Sequence, residues 1–225
     1  EMEKYYVKKI NIYGNYITSE NVIRNKLIID EGDAFNDILF NKSINEIKST
    51  RIFKTVNSKI SESSVDKKKV IDIFVEEKPT GEISAGAGTG TSGSIISFGI
   101  KENNYLGKGV KLNTNVSITN DSLEGAFSIN TPNYKNSDKS LNTSFESSKT
   151  DLMSKYGYEV NKTGFSIGTY YEQFKDIYFS PSISTYYEKL DTSSKASDSR
   201  KKQEGSFFES EFKYGLTLNK LNQNF

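Results

Sequence analysis

Three groups of residues have types and spacings that chemistry could use. Gly88, Gly90 and Gly93 satisfy the G-x-G-x-x-G spacing of a dinucleotide loop. Such a loop works only when a helix follows the glycines and points its N-terminus at the pyrophosphate. Here SIISFGI follows, a strand pattern, and no Gly-Lys-Ser/Thr ends the run as a phosphate loop requires. Glu76-Glu77 and the pair Glu209 and Glu211 are the best carboxylates for acid–base or hard-metal work. Glu209 and Glu211 lie two apart in an alternating stretch, so both face a polar lumen, which accounts for them without chemistry. The chain has no cysteine and no histidine, which removes thiolate and imidazole nucleophiles and ligands and the usual general base. No catalytic, cofactor-binding or metal-ligating residue is assigned, and the chain is expected not to be an enzyme.

Charge excludes another class. Thirty Lys+Arg against 29 Asp+Glu leave a formal net charge of +1, so no nucleic-acid partner is expected. Lys67-Lys68-Lys69 reads as a solvated hairpin tip. No apolar run reaches the roughly 18 residues of a membrane-spanning helix. Mean hydropathy is −0.61. That value is compatible with a transmembrane β-barrel, whose strands put polar residues on alternate positions. Glu1 carries no basic, apolar leader, and the chain is expected to start inside a longer precursor.

The elements that position these residues fall into two halves. In the first, Ile10 and Ile12 alternate with Lys9 and Asn11 in a strand that stops at Gly14-Asn15. Thr18 is placed to cap a helix bearing Val22, Ile23 and Leu27, and Glu31-Gly32-Asp33 ends it. Asn36 is the expected cap of a second helix, with Phe40, Ile44 and Ile47 at helical spacing. Val56 to Glu62 and Val70 to Glu77 alternate as a strand pair. The order is β-α-α-β-β.

That order, together with KKINIYGN, the acid-Gly break at Glu31-Gly32-Asp33, STRIFKTV and VIDIFVEEKP, resembles a POTRA domain. More narrowly, it is similar to the last POTRA before the barrel in the BamA-type outer-membrane protein assembly superfamily. The resemblance implies a fold of one α+β POTRA domain followed by antiparallel transmembrane β-barrel strands.

In the second half, Val110, Leu112, Val116 and Ile118 face one way and Lys111, Asn113, Asn115, Ser117 and Thr119 the other. The same split recurs at Ile96, Phe98 and Ile100, at Phe127 and Ile129, at Phe165, Ile167, Thr169 and Tyr171, and at Phe208, Phe212, Tyr214, Leu216 and Leu218. About eight strands are expected, at 82–90, 94–103, 109–120, 124–132, 139–149, 158–173, 178–190 and 205–219. Thr192 to Gln203 reads as a mobile exposed loop. Tyr105, Tyr134, Phe174 and Tyr178 fall where an interfacial aromatic girdle would sit. NNYLGKG at Asn103–Gly109, TPNY at Thr131–Tyr134 and FKYGLTLNKLNQ extend the resemblance to nearly the whole chain. Asn222-Gln223-Asn224 reads as a turn. The expected division is therefore a POTRA domain at 1–79 and the N-terminal half of an incomplete barrel at 80–225.

The resemblance implies an outer-membrane machine, with its POTRA domain in the periplasm and no cofactor, that folds and inserts client β-barrels. Its partners would be unfolded client proteins, accessory lipoproteins and outer-membrane lipid. Glu82, Ile83, Ser84, Ala85, Gly86, Ala87, Gly88 and Thr89 form the candidate lateral gate, because a glycine-rich first strand holds its ladder poorly. Arg24 and Glu31 lie where the resemblance suggests a lipoprotein contact. The competing readings are a POTRA transporter of a dedicated passenger or adhesin, a soluble all-β binding module, and a passive pore.

Overall fold

A computed structural model describes residues 4–63, 67–90 and 93–220. Two compact units emerge: Glu1–Gly81 with Asn103–Val110, and Glu82–Glu102 with Lys111–Phe225.

The first unit carries β1 (Tyr6–Tyr13), α1 (Glu20–Arg24), α2 (Asp37–Ser49), β2 (Phe53–Ser63) and β3 (Lys68–Glu77). Its sheet has the order β1-β3-β2, with β1 parallel and β2 antiparallel to the central β3. A shift of register between Val7 and Lys9 turns both Val7 and Ile10 inward, although they are an odd three positions apart. Opposite them lies α2, started by the Asn36 side chain, which accepts from the N–H of Ile38 and Leu39 at 2.9 and 3.1 Å. Its Phe40, Ile44 and Ile47 are buried against Ile71, Ile73 and Val75 in one core cluster.

Two local expectations change here. The first helix is only Glu20–Arg24, and Ser19 rather than Thr18 stands at its cap position, with no side-chain cap bond. Thr18 is instead buried just before the helix, its N–H given to Glu77 Oε1 at 2.6 Å. The lysine run is not all solvated either. Lys68 and Lys69 belong to β3, and the Lys69 ammonium meets Glu62 at 2.7 Å and sits 4.3 Å from the Phe35 ring centre. Asp66, which precedes the lysine run, lies outside the described residues.

The second unit is one sheet. It contains β4 (Gly81–Gly90), β5 (Gly93–Tyr105), β6 (Val110–Thr119), β7 (Ser122–Thr131), β8 (Ser140–Leu152), β9 (Tyr158–Phe174), β10 (Ile177–Phe179), β11 (Ser182–Thr192), β12 (Gly205–Lys213) and β13 (Leu216–Leu218). Short helices α3 (Met153–Tyr156) and α4 (Asp198–Lys201) sit in its connections. The main path runs β12-β11-β9-β8-β7-β6-β5-β4, eight strands with an open end at each side. From β6 to β12 every neighbouring pair is antiparallel.

The strands expected at 178–190 and 205–219 are each broken in two. Pro181 brings no N–H to the ladder, and the break at Ser180-Pro181 lies beside the one at Tyr214-Gly215. Ser180 and Gly215 still exchange backbone bonds of 2.9 and 3.2 Å, so β10 and β13 continue β11 and β12 past the crease. The segment expected as a mobile loop contains α4, capped by Ser197, and a buried Ala196, and its Ser193 N–H reaches the Gly157 carbonyl at 2.8 Å.

Register gives the sheet two chemically distinct faces. One row reads Asn113, Ser128, Ser144, Ser166, Ser184 and Glu211 across six strands. The adjacent row, on the opposite face, reads Leu112, Ile129, Thr143, Ile167, Ile183 and Phe212. The polar face is tied together by hydroxyls, with Ser144 and Ser166 at 2.6 Å. The apolar face stays bare, as Phe127, Phe145 and Phe165 are 39–50% exposed. Such alternation is what a wall between water and lipid requires.

Candidate functional site

β4 is an edge strand, and all ten of its residues are exposed. Its neighbour is β5. A Cβ on Gly86 would lie 3.2 Å from Ser97 Oγ, and one on Gly88 would lie 3.5 Å from Ile95, so the two strands run in opposite directions. The Ser84 hydroxyl reaches the Gly99 carbonyl at 3.4 Å. Ser84, Gly86 and Gly88 thus share one face; Ile83, Ala85, Ala87 and Thr89 fall on the other. Beyond Ser84, Gly86 and Gly88 offer no side chains to the neighbouring strand, and Ile83 on the opposite face is 85% exposed. Little but the backbone ladder holds this strand. Thr91 and Ser92, which complete the glycine-rich motif, lie outside the described residues.

Arg24 and Glu31 come together, although seven positions separate them in the chain. Glu31 Oε1 accepts the Ile10 N–H at 2.9 Å, and Arg24 donates from Nη2 to the Ile10 carbonyl at 3.0 Å. Their charges stand 3.9 Å apart, and Glu20 holds Arg24 Nε at 2.6 Å. Upstream, Val7 donates to the Asp33 carbonyl and accepts from the Gly32 N–H at 2.9 and 2.7 Å. The free side of β1 is therefore occupied from Val7 to Ile10 by the chain's own atoms.

Glu76 and Glu77 are not a catalytic pair, because consecutive strand residues point to opposite faces. Glu76 meets Lys54 at 2.8 Å on an exposed surface. Glu77 turns to the segment before α1 and accepts the N–H of Ile17 and Thr18 at 3.0 and 2.6 Å. Partial burial opposes its ionisation, but the bonds from Thr18, Ile17 and Tyr16 together hold its carboxyl below the ordinary value. Glu209 and Glu211 lie opposite Tyr186 and Ser184 on the polar face, and Glu211 pairs with Lys213 at 2.8 Å. Among the described residues no group of three acidic side chains has metal-ligand geometry.

The turn within NNYLGKG lies where the sequence places it, but pattern reading missed that Asn103–Val110 packs as part of the first unit. Asn104 donates to the Thr18 hydroxyl at 2.9 Å and accepts the Gly109 N–H at 2.8 Å. The Gly107 carbonyl takes the Ser19 N–H at 2.8 Å. Only glycine fits there, since φ is +68° and a Cβ would come within 2.0 Å of the Ile17 carbonyl oxygen. Among the expected girdle aromatics, Tyr178 stacks on Tyr170 at 5.1 Å, and Tyr170 lines the polar concavity, so this ring turns away from the apolar face.

Comparison with known proteins agrees with this architecture. A family model, POTRA, described as a surface antigen variable number repeat, matches residues 5–78. The outer membrane protein assembly factor BamA of Buchnera aphidicola is 29% identical over 75% of the chain, and that of Neorickettsia risticii is 27% identical over 99%. The chain spans 29% and 30% of these relatives' own lengths. The crystal structure of BamA from Haemophilus ducreyi lacking POTRA domains 1-3 superposes with a TM-score of 0.78, at 22% identity, over 98% of this chain and 45% of that one. CdiB from Escherichia coli shares the fold less closely, with a TM-score of 0.61 at 13% identity over 94% of this chain and 41% of that one. Residues 5–78 are thus a POTRA domain, and the strands that follow are similar to the barrel of BamA proteins, which places the chain in the outer membrane with its POTRA domain on the periplasmic side.

Proposed function

We propose that this chain is part of a non-enzymatic machine that assembles β-barrel proteins into the outer membrane, with β4 as its lateral gate. The observation that carries the reading is the make-up of β4: Gly86, Gly88 and Gly90 occupy consecutive positions of one face, so its hold on β5 is mostly backbone. In hydrocarbon every backbone N–H and C=O needs a partner, so a barrel strand is driven to pair. A strand held by few side-chain contacts releases its closing partner at low cost and offers a ladder to an incoming strand. Residues 1–79 would receive unfolded clients, and residues 80–225 would template them. The sequence likeness to the BamA relatives, which are assembly factors by name, supports the assembly reading.

The test uses the absence of native cysteine. A single cysteine at Ser84 or Ala87, paired with cysteines along the terminal strands of a client barrel stalled during assembly, should give disulfide adducts that change register with the client position. Adducts that never form, while surface cysteines elsewhere on the sheet react normally, would sink the gate. Export of a dedicated passenger or adhesin remains the second reading, supported by the fold likeness to CdiB. Under that reading Ser84 would capture one passenger and not the general set of outer-membrane barrels.

A further inference from the structure

The crease that interrupts β11 and β12 leaves a groove of about 280 Å³ on the apolar face. Its walls are Leu141, Ile167, Ile183 and Phe212, and its floor is Thr169 and Pro181. The floor has no unmet polar group. Thr169 gives its hydroxyl to the Ser140 carbonyl at 2.7 Å and its N–H to the Pro181 carbonyl at 3.0 Å, and Pro181 has no N–H to satisfy. A groove this apolar, set in a lipid-facing wall, suits an acyl chain, which would supply the dispersion contacts that bare apolar side chains lack.

One step towards the strand ends, the outward row changes character. It reads Tyr171, Phe179 and Leu216, with Phe179 edge-on to Tyr171 at 5.9 Å. The ammonium of Lys139 stands 4.7 Å from the centre of the Tyr171 ring. Lys139 is exposed and has no carboxylate within ion-pair distance among the described residues. This contrasts with the lysines at the far end of the same face, where Lys149 pairs with Glu159 at 3.0 Å and Lys189 with Asp191 at 2.8 Å. Counting antiparallel strands from Gly81, next to the POTRA domain, puts the Lys139 end on the periplasmic side.

We propose that this face holds one glycerophospholipid of the periplasmic leaflet, with an acyl chain in the groove and its phosphate on Lys139. The cation and the groove are aligned along the apolar face in the order an amphiphile presents its parts. A cation over an aromatic ring at the interface keeps its donors free for a phosphate oxygen, and its aliphatic stem lies along apolar surface. The inference rests on the outer-membrane location and not on the assembly activity, so the gate and the lipid site can fail separately.

The full chain, purified in mild detergent, would be titrated with palmitoyl-oleoyl phosphatidylglycerol and bound lipid counted by native mass spectrometry. One lipid should be retained at detergent concentrations that strip the rest. Lys139→Glu should lower its occupancy about tenfold, as loss of one charge-assisted contact with added repulsion predicts. Thr169→Trp, which fills the groove, should do the same, whereas Lys149→Glu at the opposite end should leave occupancy unchanged. Equal occupancy in all variants, or equal loss in Lys149→Glu, would overturn the site. Loss in Lys139→Glu with full retention in a folded Thr169→Trp would leave only a headgroup contact and overturn the groove. If Thr169→Trp does not fold, the exposed Lys139→Glu decides.

Discussion

The two units of this chain put their isoleucines to opposite uses. In the first, Ile71 and Ile73 of the central strand are fully buried, each between a helix layer and neighbouring strands. In the second, Ile167 and Ile183 sit at the middle of equally regular strands and remain 39% and 48% exposed. The first unit encloses its apolar surface; the second turns it outward and relies on lipid to cover it. The strand edges follow the same division. The β1 edge, in water, is stopped by Asp33, Gly32, Glu31 and Arg24, as a soluble protein must do to avoid pairing with other chains. The β4 edge carries no such cover among the described residues, as the proposed gate requires.

The sharpest way to break this comparison is to remove the same atoms from both kinds of isoleucine. Ile71→Ala leaves a cavity beneath α2 and should destabilise the first unit by about 2–5 kcal/mol. Ile167→Ala on the apolar face should cost less than about 1 kcal/mol, because lipid closes over the missing atoms. Denaturant titration of the full chain in detergent, followed by pulse proteolysis, reads both. Comparable losses would mean that the second unit has an enclosed core after all.

A smaller effect tests the guarded edge. Glu31→Ala removes the acceptor of the Ile10 N–H and the partner of Arg24, and should cost about 1 kcal/mol. Hydrogen exchange at the Ile10 amide should accelerate by the corresponding factor, about fivefold. Glu31→Gln keeps an oxygen for that N–H but removes the charge. It should leave exchange nearly unchanged, while weakening any ionic contact of Glu31 with an accessory lipoprotein, measured by co-purification. The pair of variants separates edge protection from partner binding; both properties responding only to Glu31→Ala would argue against the ionic lipoprotein contact.

How far pattern reading reached depended on the range of the interactions. The α2 cap at Asn36 and its stripe of Phe40, Ile44 and Ile47 are local, and so was the two-faced alternation of the barrel strands. What escaped it was set by contacts between distant positions. Thr18 looks like a helix cap until Glu77 and Asn104, far along the chain, take its N–H and hydroxyl. Lys69 looks solvated until Glu62 and Phe35 are brought beside it. Pro181 did carry a local signal, since a proline seldom sits inside a paired strand, and an unbroken strand at 178–190 ignored it. Arg24 and Glu31 could be located by resemblance, but their joint grip on Ile10 needed β1 in place.

Acid offers the mildest test, because in the enclosed unit the Glu77 carboxylate seats the backbone turn before α1. Glu77 accepts N–H groups of Ile17 and Thr18, bonds that favour the ionised carboxyl, so its folded value lies below the unfolded one. In that interval the unfolded chain binds more protons than the folded chain, and stability falls as pH drops. The contribution is complete above the unfolded carboxylate value of about 4.3 and is lost as pH passes below the folded value. Glu76 is lowered in the same direction by its hydrogen bond to Lys54, but both groups are fully exposed, so solvent and salt weaken that part. Melting of the first unit should therefore shift downward between about pH 5 and pH 3. Glu77→Gln, which keeps one acceptor but cannot ionise, should be less stable at neutral pH and should flatten much of the slope. The slope should persist in high salt, because the dominant bonds are short and partly buried. A profile that Glu77→Gln leaves unchanged, or that salt abolishes, would transfer the acid sensitivity from Glu77 to the surface ion pairs.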